Sequence, residues 1–146
     1  MRNLRINLLS GIISSSGVHQ SKYSNCYNEL KAIIELEKKE KDKDKIPKSF
    51  FEEFDEITKS INNLSEKTEG VPLLILEQYF LRNSNDLKRY VYIEYDEVKI
   101  DMMTGDLYLI LEEFYVKIYL LAVKIADFYN IDIKLKKEKK EEDTYL

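Results

Sequence analysis

Residues 87–107 read Leu87-Lys-Arg-Tyr-Val-Tyr-Ile-Glu-Tyr-Asp-Glu-Val-Lys-Ile-Asp-Met-Met-Thr-Gly-Asp-Leu107, and the fold class turns on them. Two periods compete there. As a helix, Leu87, Val91, Tyr95, Val98 and Met102 form one stripe at spacings of three and four. As a strand, Val98, Ile100 and Met102 alternate with Glu97, Lys99 and Asp101, and Thr104-Gly105 would supply a hairpin turn. Residues 107–129 tip the choice. They contain no breaker, and Glu113, Lys117, Lys124 and Asp127 fall on one helical face. A strand over 107–111 would have to become a helix with no Gly, Pro, Asn, Asp or Ser at the corner. The pattern therefore predicts a helix over 87–103, Gly105 as its C′ glycine, and Asp106 as the N-cap of a long helix over 107–129. A hairpin over 91–111, making the chain α+β, is the alternative.

Outward from this stretch the chain reads as helical. Tyr27, Leu30, Ile33/Ile34 and Glu37 keep helical spacing over 23–43, with Ser24 or Asn25 as N-cap. Pro47 stops that element, and Ser49-Phe-Phe-Glu52 reads as a capping box opening a helix over 49–64. Phe50/Phe51, Phe54, Ile57, Ile61 and Leu64 line one face of it. Pro72 suits the first position of a short apolar helix over 72–83. Asn130 suits a left-handed cap on the long helix, and Ile131, Ile133 and Leu135 alternate as a short strand would. The expected architecture is all-α: a bundle of four to five helices over 23–131, a flexible or docking N-terminal arm over 1–22, and a charged, disordered tail over 132–146.

Composition limits function. The net charge of −4 over 146 residues hides a split: +3 over residues 1–22, +1 over 23–48, −8 over 49–131 and zero over 132–146. An acidic body repels phosphate, so nucleic-acid contact is left to the extremities, through Arg2, Arg5 and Lys22. Lone Cys26 allows no internal disulfide and fits a reducing, cytoplasmic setting as a small packed residue. No apolar run approaches the ~18–20 residues of a membrane span. The skew toward Lys, Ile and Tyr, with 11 Tyr, suggests a virus or mobile element as source.

Catalytic signals are sparse. His19 is the single histidine and has no partner at a diagnostic spacing, and one Cys with one His cannot make a four-ligand zinc site. The four glycines form no phosphate loop, so no cofactor is expected. Glu94, Glu97 and Asp101 would share a face of the helix over 87–103 and could hold a hard divalent cation; Glu52, Glu53 and Glu56 form a second acidic cluster. The phrase Ala126-Asp-Phe-Tyr-Asn-Ile-Asp132 resembles the close of the last helix in MazG-type nucleotide pyrophosphohydrolases. That resemblance implies magnesium-binding carboxylates one helix-length earlier, where Phe114 and Lys117 stand. A lysine cannot replace such a ligand, so the chain is not assigned to that family.

Aromatic surplus is the strongest functional signal. Tyrosine sets an apolar ring inside and a hydroxyl at the rim, and it is enriched at interfaces. Tyr90, Tyr95, Tyr108, Tyr115 and Tyr119, with Leu120 interrupting the charged strip of the long helix, are the expected interface residues. The expected function is a non-enzymatic interaction or assembly protein, self-associating or part of a larger complex. In size and helix number the chain also resembles the small helical subunits of RNA-guided defence complexes. A carboxylate-metal enzyme is the third reading.

Overall fold

The computed structural model describes residues 2–15, 21–39 and 46–131. Their order is α1 (Arg2–Ile13), α2 (Lys22–Lys39), α3 (Lys48–Lys67), α4 (Leu73–Asn83), β1 (Tyr90–Tyr95), β2 (Val98–Met103) and α5 (Thr104–Phe128). The protein is mostly helical with one small antiparallel hairpin, and so not purely all-α. The 25-residue α5 is the axis of the fold and touches each of the other four helices. Leu107, Leu111, Ile118, Leu121, Ala122 and Ile125 on its inner face are fully buried.

The helix expected over 87–103 is a hairpin instead. β1 pairs with β2 from Tyr90↔Met103 to Tyr95↔Val98, which leaves Asp96-Glu97 as a two-residue turn. Asp96 has φ of 53°, the positive value that primed hairpin turns require and that Asp tolerates better than most residues. The alternative reading also misplaces the turn, since Thr104-Gly105 opens α5 rather than reversing a strand. Once the turn sits at 96–97, no corner inside 107–111 is needed. Tyr-Val-Tyr-Ile-Glu-Tyr is rich in strand-forming side chains, and its alternate residues Val91 and Ile93 are buried. The nearly equivalent helical stripe is a coincidence of spacing.

Local signals also shift at the helix starts. Asp106 is not the N-cap of α5; it lies in the first turn, where an acid still favours the helix dipole. The first amides of α5, which have no acceptor within the helix, are met by backbone carbonyls: Thr104 N–H donates to Arg89 O at 2.8 Å and Gly105 N–H to Leu87 O at 2.8 Å. A side chain on Gly105 would press on that Leu87 carbonyl, which accounts for a glycine there. The capping box at Ser49 does not form, because α3 begins at Lys48 with Pro47 as its N-cap and no side-chain cap bond. Pro72 likewise precedes α4 as its N-cap rather than occupying its first turn.

The expected apolar face of α3, the left-handed cap of α5 and the packing of Cys26 hold. Phe54, Ile57 and Leu64 of α3 are buried, with Phe50, Phe51 and Ile61 half-buried beside them. Asn130 adopts φ of 56° and ends α5, with Ile131 N–H reaching Ala126 O at 2.8 Å and Asn130 N–H reaching Asp127 O at 3.1 Å, a Schellman pattern. Cys26 is buried, and burial pushes its thiol up to about 11. Within the expected arm, α1 docks against α2 and α5 and buries Leu9, Ile12 and Ile13. His19, most of the lysine-rich run over 38–48, and the expected tail from Asp132 on lie outside the described residues.

Candidate interaction surface

The polar chemistry inside the bundle is structural in geometry. Glu77 on α4 is fully buried and serves the start of α2. Its carboxylate accepts from Tyr23 N–H at 2.8 Å, Ser24 N–H at 3.1 Å and Ser24 Oγ at 2.6 Å. Those amides belong to the first turn of α2, so Glu77 does from another helix what Ser24 or Asn25 was expected to do locally. Glu37 on α2 is also fully buried. It accepts from Arg5 Nε at 2.8 Å and from the Tyr129 hydroxyl at 2.6 Å, and the Arg5 guanidinium lies 4.4 Å from the Tyr129 ring centroid. One salt bridge thereby ties α1, α2 and the end of α5. A third cluster joins Lys22 Nζ to Glu112 at 3.4 Å and to the Tyr115 ring at 4.0 Å, and Tyr23 also donates to Glu112. Burial raises the Tyr23 and Tyr115 phenols above their ordinary values.

These clusters decide where the expected nucleic-acid residues sit. Arg5 and Lys22 are buried, with their charges turned toward Glu37 and Glu112. They form no exposed basic face. Arg2 opens α1, and its side chain lies outside the described set. The helical face that would have gathered Glu94, Glu97 and Asp101 does not exist: Glu94 and Asp101 lie on opposite strands and Glu97 in the turn. Among the described residues, no group of three His, Cys, Asp or Glu converges to hold a metal ion. Glu53 and Glu56 of the second acidic cluster are taken up by Lys124 at 2.6 Å and Lys59 at 3.2 Å.

The six expected interface residues divide into two groups. Tyr115 is buried, and its hydroxyl donates to the Ile12 and Ser15 carbonyls at 3.1 and 2.9 Å, locking the end of α1 to α5. Tyr108 stacks on Phe80 with ring centroids 5.6 Å apart, and Tyr119 packs against Tyr115 at 6.2 Å. Tyr90, Tyr95 and Leu120 are exposed. The structure adds Leu109 and Val116, which sequence reasoning passed over. With Leu120 they form a row along the outer side of α5, exposed by 59%, 49% and 53%. Their spacing of seven and four returns to one side of a helix. Lys117 and Lys124, which reach Ser60 and Glu53 on α3, border the row on one side. A shallow groove of about 200 Å³ lies between Leu120 and α3, lined by Ile57, Glu53, Glu56, Lys117 and Lys124.

The hairpin carries a second exposed patch. Its inward face bears Val91, Ile93, Val98, Ile100 and Met102, packed toward the core. Its outward face bears Tyr90, Tyr92, Glu94, Lys99, Asp101 and Met103, and Tyr92 is exposed by 72%. No helix among the described residues is long and apolar enough to cross a membrane. Compared with protein-family models, curated proteins and solved structures, the chain matches none.

Proposed function

We propose that this chain is a non-enzymatic assembly protein that works by associating with protein, its own copies first. The row Leu109, Val116 and Leu120 carries the reading. A central helix that buries one face and leaves three large aliphatic side chains in line on the other has surface to spare for a second helix. The exposed tyrosines of the hairpin extend that surplus. Of the residues named for the competing readings, Arg5 and Lys22 are buried and turned toward Glu37 and Glu112, and Glu94, Glu97 and Asp101 are spread over a hairpin. The test is the mass of the purified chain by light scattering, compared with a variant carrying Leu109→Glu, Val116→Glu and Leu120→Glu. The wild type should rise above 17.4 kDa with concentration and the variant should lag behind it. Equal masses for both at every concentration would refute this use of α5.

A further inference from the structure

We propose that two copies of this chain join through the free edge of β2, antiparallel and in one charge-selected register, to make a closed dimer with a four-stranded sheet. This rests on the association reading above and names the partner and the contact.

The backbone of the hairpin decides which edge is open. In an antiparallel pair, alternate residues turn their N–H and C=O toward the partner strand and the rest turn them outward. Two contacts fix the phase. Tyr79 Oη donates to Glu94 O at 2.7 Å and accepts from Glu94 N–H at 3.2 Å, so both backbone groups of Glu94 face away from β2. Thr104 N–H bonds Arg89 O in the same register one step beyond the strands. Because Glu94 pairs with Lys99 and Tyr92 with Asp101, the backbone groups of Lys99 and Asp101 face away from β1. No hydrogen bond reaches them among the described residues.

The two edges are not equivalent. Tyr79 from α4 occupies the β1 edge, and α4 packs along that strand. Val91 and Ile93 of β1 are fully buried, whereas Ile100 and Met102, their partners on β2, are only half-buried. The unfinished side of the sheet is therefore the β2 side, and an added strand would cover it.

Charge chooses the occupant and the register. A two-fold pairing centred on Ile100 sets Lys99 opposite Asp101 of the second copy, twice, with Val98 opposite Met102 on the inward face. Both residues of each charged pair have outward-facing backbone groups, so each pair exchanges both of its N–H···O bonds. Sliding by one repeat in either direction sets Asp101 against Asp101 or Lys99 against Lys99. Within the favoured register Lys99 lies between Glu94 of its own hairpin and Asp101 of the second copy. The covered β1 edge stops further strand addition, so pairing through the sheet ends at two copies.

Sedimentation velocity on four samples tests this: the wild type, Lys99→Asp, Asp101→Lys and an equimolar mixture of the two variants. The wild type should move with concentration toward twice 17.4 kDa. Each single variant opposes like charges in both pairs, which should raise the dissociation constant about tenfold or more. The mixture makes every pair complementary again and should recover the dimer, which a misfolded variant could not do. The double variant K99D/D101K makes both cross-copy pairs complementary again and should dimerise more tightly than either single variant. It should fall short of the wild type, because the acid placed at position 99 then faces Glu94 within each hairpin. Association that survives both single changes, or that the mixture fails to restore, overturns the strand pairing and leaves the association reading standing. A single-copy mass in every sample overturns both.

Discussion

Replacing Glu77 by Gln should destabilise the protein by about 2–4 kcal/mol. The substitution keeps side-chain shape but removes the charge. In the native fold one carboxylate oxygen serves Tyr23 N–H and the other serves Ser24 N–H and the Ser24 hydroxyl. The amide has one acceptor oxygen, so its NH2 group must face a donor that then has no partner. Hydrogen bonds to a charged acceptor are worth ~1.5–3 kcal/mol net, and a stranded buried donor costs ~1–3 kcal/mol. Loss of negative charge at the start of α2 removes a further ~0.3–1 kcal/mol of dipole interaction. Relief of the cost of burying a carboxylate offsets part of this sum. For a chain of this size the result corresponds to a fall in melting temperature of roughly 5–15 °C. Thermal and urea unfolding followed by circular dichroism at pH 7 measure it, with Ser24→Ala as a control that should cost only about 1 kcal/mol. A Glu77→Gln variant melting within about 1 °C of wild type would refute the role of Glu77 as a cap supplied from another helix.

Further outcomes follow from the other buried groups. Arg5→Met should cost about 3–5 kcal/mol in urea unfolding by stranding Glu37, and adding Glu37→Met should recover most of it. Burial raises the Glu29 carboxyl above its ordinary 4.5, so the folded state holds this proton more tightly than the unfolded one. Its contribution is most favourable below that ordinary value and is lost as pH rises through the folded value. Glu29→Gln should therefore gain melting temperature over wild type on going from acid to neutral pH, and an unchanged difference would count against it. Gly11→Ala should flatten the same pH dependence, because a β-carbon there displaces the Glu29 carboxylate from its buried position. Cys26, buried and held to about 11, should react with a thiol reagent at pH 8 only as fast as the protein opens, a rate that added urea should increase.

The helices were legible where burial follows local period. In α3 the apolar stripe over Phe54, Ile57 and Leu64 and its burial coincide, and Asn130 ends α5 as its left-handed preference implies. The hairpin was not legible as a first choice. Its turn, Asp96-Glu97, lacks the glycine that marks most two-residue hairpins, and a helical stripe overlapped its alternation. The capping box at Ser49 had the right letters, but Pro47 started the helix one residue earlier.

The candidate surface was half legible, for a related reason. Leu120 stood out because it interrupts a charged strip, whereas Leu109 and Val116 could not be separated from core residues until the neighbours of α5 were placed. The burial of Arg5 and Lys22 was hidden because their partners are distant in sequence: Glu37 lies 32 residues from Arg5, and Glu112 lies 90 from Lys22. No local pattern announces such pairs. Glu77 was hidden in the same way, 53 and 54 residues from the amides it caps.

Sedimentation equilibrium of the unmodified chain, from about 1 µM to about 1 mM, tests the central claim most directly. Association through surplus apolar and strand-edge surface predicts a weight-average mass that climbs from 17.4 kDa toward twice that value. A mass that stays at 17.4 kDa across the whole range would contradict it.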